Sequence, residues 1–250
     1  MKKTMTATAG MLLLVSAGTA QAVIPLIDVD VTANSWQAGP SGTVQSGGNA
    51  IDVEDDLGYD DESHTGFAVR FAHPIPVIPN LRLRYNDIEH KAQGQIRTTT
   101  QFGGQTYVAN ENVDSRIDLT HYDYTIFYTA PVPIVTLDLG FNVKHFDGQF
   151  DIEATGGTRK ESVKIDEFLP MLHARGDVDL PLTGLGAGAE INYVSFDGDS
   201  ARDIEAYLKY SVDPVYVEGG YRELAMDVDA DNINVDTDLG GPFVRVGIGF

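Results

Sequence analysis

Strict alternation of apolar and polar residues, repeated in segment after segment, is the feature that most limits what this chain can become. Ile27, Val29, Val31 and Ala33 alternate with Asp28, Asp30, Thr32 and Asn34, and Tyr122, Tyr124, Ile126 and Tyr128 alternate with Asp123, Thr125, Phe127 and Thr129. The pattern returns at 67–72, 81–86, 135–144, 185–193, 204–212, 215–222 and 243–250, and more weakly at 163–180. Successive side chains on a strand point to opposite faces, so period two predicts strands. The count is about ten; eight or twelve stay open if the pairing around 163–180 or 201–217 differs.

The two faces differ in a telling way. One carries Tyr, Phe, Leu, Val and Ile. The other carries Asp28, Asp30, Asp123, Asp138, Glu190, Glu205 and Glu218 against Arg70, Arg82, Arg84, Lys144, Lys209, Arg222 and Arg245. Both signs in near balance suit a narrow interior where they can pair, because an unpaired buried charge is costly. The apolar face suits lipid, with Tyr85, Tyr122, Tyr128, Tyr193, Tyr210 and Tyr221 as interfacial girdles. The expected fold is all-β: a closed, antiparallel, up-and-down transmembrane β-barrel. Closure satisfies every strand edge, as hydrocarbon demands.

The connections alternate in kind. Proline-rich short ones lie at 73–80, 130–134, 180–184 and 212–214. Long, acidic, glycine-rich ones lie at about 38–65, 98–114, 153–162 and 227–241, with a briefer one near 197–202. Short turns on the periplasmic side and long loops outside fit an outer-membrane barrel.

Residues 1–22 read as an export signal peptide: Lys2 and Lys3, then the apolar run Met11–Val15, then Ala20 and Ala22 as an A-x-A cleavage site. The run is too short for a membrane helix. The expected division is residues 1–22 as signal peptide and residues 23–250 as the barrel domain. The chain has no cysteine and a formal net charge of −20. The first excludes a disulfide-stapled domain; the second argues against nucleic acid as a partner.

The last strand stops at Phe250 with Val244, Val246 and Ile248 at every second place before it. This is similar to the terminal signal read by the barrel assembly machinery. Together with His73–Tyr85, Val53–Gly58 and Gly247–Phe250, it resembles a family of small proteobacterial outer-membrane β-barrel proteins. The resemblance covers the whole mature chain. It implies an outer-membrane location, with lipid, lipopolysaccharide and the assembly machinery as partners, and it supplies no catalytic residues.

Candidate chemistry is sparse. Asp52, Glu54, Asp55, Asp56, Asp60, Asp61 and Glu62 crowd one loop, and dense carboxylates can gather Ca²⁺ or Mg²⁺. No other cofactor is expected. Asp227, Asp229, Asp231, Asp236 and Asp238 form a second cluster, read as a hairpin loop. His121 with Asp123, and His145 with Asp147, share strand faces, but no nucleophile motif accompanies them. Gly184, Gly186 and Gly188 suit a crowded lumen, and Trp36 reads as an interfacial anchor. The expected role is structural or surface interaction through a side-chain-filled lumen and acidic outer loops, without enzymatic activity. The alternatives are a narrow pore for small solutes and a barrel enzyme acting on outer-membrane lipid or peptide.

Overall fold

The computed structural model describes residues 27–250 apart from 103, 133, 156, 158, 231 and 232. The expected signal peptide lies outside the described residues. All regular structure among them is strand: β1 (Asp28–Ser46), β2 (Ile51–Asp52), β3 (Glu62–Ala72), β4 (Asn80–Asp87), β5 (Glu89–Ile96), β6 (Thr100–Phe102), β7 (Gln105–Tyr107), β8 (Glu111–Asp118), β9 (His121–Val132), β10 (Val135–Ala154), β11 (Lys160–Asp179), β12 (Leu185–Phe196), β13 (Asp199–Val212), β14 (Val215–Ala230) and β15 (Ile233–Gly249). Ten of these close a ring in the order β1-β3-β4-β9-β10-β11-β12-β13-β14-β15, with β15 paired back to β1 and every neighbour antiparallel. The ten-strand expectation holds, and the doubtful stretch at 163–180 is the single long strand β11.

Face assignment decides whether this is a membrane barrel. Tyr124, Leu139 and Val246 are 44%, 48% and 49% exposed, whereas Arg84 and Glu218 are 5% and 1% exposed. The apolar face therefore looks outward and the ionic face fills the interior. In a soluble barrel the reverse arrangement would minimise exposed apolar area. Phe67, Leu83, Ile126, Phe141, Leu172, Leu208 and Val217 continue the outward apolar band. Tyr122 and Tyr128 stand on it six residues apart, and the Tyr128 hydroxyl donates to the Val77 carbonyl in a proline-rich turn at 3.1 Å. The chain is an outer-membrane-type β-barrel, with its proline-rich turns all at one end.

The opposite end corrects the sequence reading. Stretches expected as long loops are largely strand. β10 and β11 each run 20 residues and pair along nearly their whole length. A tilted strand crosses a bilayer in about 9–11 residues, so roughly half of this hairpin stands above the lipid. β5 continues β4 past Ile88, β8 leads into β9, and β5, β8, β10 and β11 form a polar wing over the extracellular face. β12 meets β11 only over Leu172–Asp179, so the upper half of β11 has β10 as its one strand neighbour.

Asp227, Asp229, Asp236 and Asp238 are also on paired strands, β14 and β15, and not in a loop. The four carboxylates sit on extended hairpin arms; Asp231 of that cluster lies outside the described residues.

Two apolar clusters close the top. The upper one joins Ile51, Val53, Leu57 and Tyr59 of the acidic loop to Ile96, Phe102, Tyr107, Val113, Phe150 and Ile152. Phe102 of the β6–β7 hairpin meets Phe150 edge-on, with ring centres 5.0 Å apart. The lower cluster holds Trp36, Ile88, Leu119, Tyr207, Leu224, Leu239 and Phe243, and Ile117 touches both. Trp36 is 1% exposed inside the barrel, donates its indole N–H to the Gly241 carbonyl at 3.1 Å, and lies 4.6 Å from the Arg222 guanidinium. The interfacial anchor expected at Trp36 is thus wrong. In β1 the residue shares parity with Asp30, Thr32 and Asn34, which all face inward, and the interior offered an acceptor for its one donor.

The glycine reading holds at Gly186 and Gly188, whereas Gly184 lies in the turn before β12 with φ of 72°. A Cβ on Gly188 would stand 2.5 Å from the Tyr207 ring carbon and hydroxyl and 2.7 Å from Asp177 Oδ1. Tyr207 donates to Asp177 at 2.6 Å across that gap. Replacing Gly188 with Ala is expected to displace the ring and destabilise the barrel by about 1–3 kcal/mol, read from the guanidinium midpoint of refolded protein.

Candidate functional site

The inward parity of ten strands builds a continuous ionic layer. On β4, Arg82 and Arg84 follow each other at spacing two. Arg82 forks onto Glu190 of β12, donating from Nη1 to Oε2 at 2.6 Å and from Nη2 to Oε1. Arg84 donates to Glu205 Oε1 at 2.6 Å and sits 3.4 Å from Glu190. Arg245 of β15 joins Glu205 at 2.6 Å to Glu218 at 2.8 Å. A second chain runs beside the first: Lys144 donates to Asp123 at 2.7 Å and to Asp203 at 3.0 Å, and Arg222 grips Asp203 at 2.9 and 2.8 Å. Arg222 reaches Asn86 at 2.8 Å, and Asn86 donates to Asp123 at 3.2 Å. Two further pairs, Arg70 with Asp138 and Arg175 with Asp177, lie in the same interior.

Each carboxylate here meets at least one cation with forked or charge-assisted geometry, which is what makes burial of so many charges tolerable. The cavity lined by Arg70, Arg82, Arg84, Arg175, Arg245 and Glu218 measures about 20 Å³. That is room for about one water, not for a continuous column of solvent.

The candidate residues from the sequence fall in four places. His121 and Asp123 are brought together inside the barrel, Nε2 to Oδ2 at 3.8 Å, with His121 Nδ1 2.8 Å from the Leu119 carbonyl. Both are sealed from solvent, and Asp123 is already engaged by Lys144. His145 and Asp147 share the outer face as expected, but His145 takes Asp166 as its partner at 3.1 Å and stacks on Phe168 at 4.0 Å. The acidic loop is wound on itself: Asp56 accepts from the backbone N–H of Asp52 at 3.0 Å and of Arg97 at 2.9 Å, and Asp52 accepts from Asp55 N–H at 2.7 Å. Glu54, Asp60 and Asp61 face solvent. Among the described residues no three acidic, His or Cys side chains gather as a metal-holding group.

Other residues were within reach of the sequence pattern but were missed. Asp203 and His64 share parity with recognised inward positions and would have followed from extending β13 and β3 outward. The apolar residues of the acidic loop, Ile51, Val53, Leu57 and Tyr59, were hidden by the carboxylates between them. On the outer wall of the wing, a concavity of about 390 Å³ is lined by Lys91, Gln93, Asp114, Arg116, Asp151 and Lys160.

No protein-family model matches the sequence, and no curated protein matches it. Solved structures share its shape. The outer membrane protease OmpT from Escherichia coli aligns over 90% of this chain and 97% of its own, at 10% identity and a TM-score of 0.57. The translocator domain of autotransporter NalP from Neisseria meningitidis aligns over 88% of each chain, at 14% identity and a TM-score of 0.47. Ail, the attachment invasion locus protein of Yersinia pestis, solved with the heparin analogue sucrose octasulfate, aligns over 90% of this chain and 99% of its own, at 10% identity and a TM-score of 0.37. At such identities the OmpT likeness speaks for the barrel alone. With the outward apolar band, it puts this chain in the outer membrane.

Proposed function

We propose that this protein is a closed, non-conducting outer-membrane barrel that acts by surface interaction through its extracellular wing. The supporting observation is the blocked interior: the Arg82–Glu190–Arg84–Glu205–Arg245–Glu218 chain spans the lumen, and the apolar clusters lie above it. A barrel of this size is filled by side chains. Enzymatic activity is not part of this reading. His121, whose Nε2 lies 3.8 Å from Asp123 Oδ2, is fully buried beneath the cap.

The wing carries the interaction. Its outer face alternates Lys91, Arg116, Lys160 and Lys164 with Glu89, Asp114, Asp151 and Asp166, just above the apolar band. That height is where lipopolysaccharide phosphates and the divalent cations between them would lie. Ca²⁺ or Mg²⁺ at Glu54, Asp60 and Asp61 fits the same reading as a weak, solvent-shared contact. The last strand supports entry through the barrel assembly machinery: Phe250 and Val29 exchange backbone hydrogen bonds at 2.8 and 3.2 Å beside an exposed Phe250 ring.

Reconstitution into planar bilayers tests the central statement. Refolded protein, shown to be folded by its altered gel mobility when unboiled, is expected to give no stepwise conductance. Reproducible unit steps that persist after heat-denatured controls fall silent would replace this reading with a narrow pore.

A further inference from the structure

β4 is too short to cross a bilayer by itself. It has 8 residues, against about 9–11 for a tilted strand. Tyr85 marks its upper end, with its ring centre 5.1 Å from that of Tyr122 on β9. Below that level β4 turns only Leu83 and Leu81 outward, and its pairing ends at Asn80 opposite Phe127. β9 runs on through Tyr128 to Val132. The wall beside the lower end of β9 is therefore completed by residues 73–79, which join β3 to β4. Tyr128 points out of the barrel, and its hydroxyl donates to the Val77 carbonyl, so this turn lies against the outer wall.

From this placement we infer that the 73–79 turn is a lipid-binding surface, inserted among the headgroup-proximal acyl carbons of the periplasmic leaflet and not held in the periplasm. Ile75, Val77 and Ile78 are 46%, 83% and 53% exposed, and the turn contains no Asp, Glu, Lys or Arg. A turn in water favours Gly, Asn, Asp and Ser, and three large apolar side chains held in water on one short segment are unfavourable. The surface they form continues the outward apolar band downward from Phe71 and Leu81. Acyl chains are already the solvent of that band, so the same occupant covers the turn.

The backbone of the turn is built for that solvent. A peptide group without a partner is costly in hydrocarbon. Pro74, Pro76 and Pro79 have no amide hydrogen to satisfy. Of the other amides, His73 donates to Asn80 Oδ1 at 2.9 Å, Ile75 to His73 Nδ1 at 3.2 Å and Ile78 to the Ile75 carbonyl at 3.4 Å. Proline placement and local hydrogen bonds thus do for the turn what strand pairing does for the rest of the wall.

The chain has no cysteine, so a single substitution gives a single labelling site. Val77→Cys, Leu139→Cys as the lipid reference and Gln101→Cys on the exposed β6 hairpin as the water reference are each labelled with a nitroxide. They are refolded into phosphatidylethanolamine–phosphatidylglycerol vesicles with a water-soluble nickel chelate on both sides. Unboiled gel mobility confirms that each is folded, and Ile78→Cys takes the place of Val77→Cys if that variant is not. Collisions of the chelate with the Val77 label are expected to be about five-fold fewer than at Gln101, because hydrocarbon excludes a polar solute, while collisions with oxygen match those at Leu139. Chelate access equal to that at Gln101 would place the turn in water and overturn the inference. Low access to both reagents would mean that protein, a second copy or a periplasmic partner, covers the turn, and would overturn it equally.

Discussion

Replacing Glu205 with Ala is expected to lower stability by about 3–5 kcal/mol, because it leaves Arg84, Arg222 and Arg245 in one buried layer with one carboxylate fewer between them. Glu205 accepts from Arg84 and from Arg245 at 2.6 Å each and stands 3.6 Å from Arg222. Removing it leaves three guanidiniums facing one another, with Glu190, Glu218 and Asp203 already engaged. The expected result is a large drop in guanidinium midpoint and in the temperature at which the unboiled band vanishes. Glu205→Gln keeps the shape and two acceptor directions on one oxygen; it should fall between the two. A loss under about 1 kcal/mol, the scale of an exposed pair, would mean that water reaches this layer freely, and the blocked lumen would have to be abandoned.

The second large effect lies on the outer face. Leu139 sits midway along the lipid-facing part of β10, opposite Tyr128 and Ala174. Leu139→Arg is expected to cost about 2–4 kcal/mol in vesicles, the range for an arginine at the bilayer midplane of a barrel. Asp147→Arg, four outward positions higher on the same strand, should change stability by no more than about 0.5 kcal/mol, as for an ordinary surface site. The contrast fixes the top of the membrane band between them. Equal small effects at both positions would show that Leu139 does not contact hydrocarbon.

Much of this fold was legible because one rule governs the membrane-spanning half. Parity along β9, β12 and β15 distinguished Asp123 from Tyr124, Glu190 from Ile191 and Arg245 from Val246. The rule changed sense above the membrane, where the inward face of β10 carries Phe146, Phe150 and Ile152 and the outward face is polar. There, glycine and acid content at 227–241 reads as loop although Asp227–Ala230 and Ile233–Gly241 lie on paired strands. The candidate site was legible only in pieces. Asp123 and Lys144 were visible as inward charges, but partners such as Asp203 lie on strands remote in sequence, and only closure of the ring brings them together.

The upper half of β11 leaves one ladder of amides and carbonyls open to the surroundings. In a crowded membrane such a rim invites a neighbouring molecule to zip onto it, strand against strand. Two features of this segment resist that. Pro170 contributes no amide hydrogen, and Lys160 and Lys164 place positive charge that an identical copy would have to face. The tall hairpin can therefore stand unshielded without turning the protein into a seed for fibres.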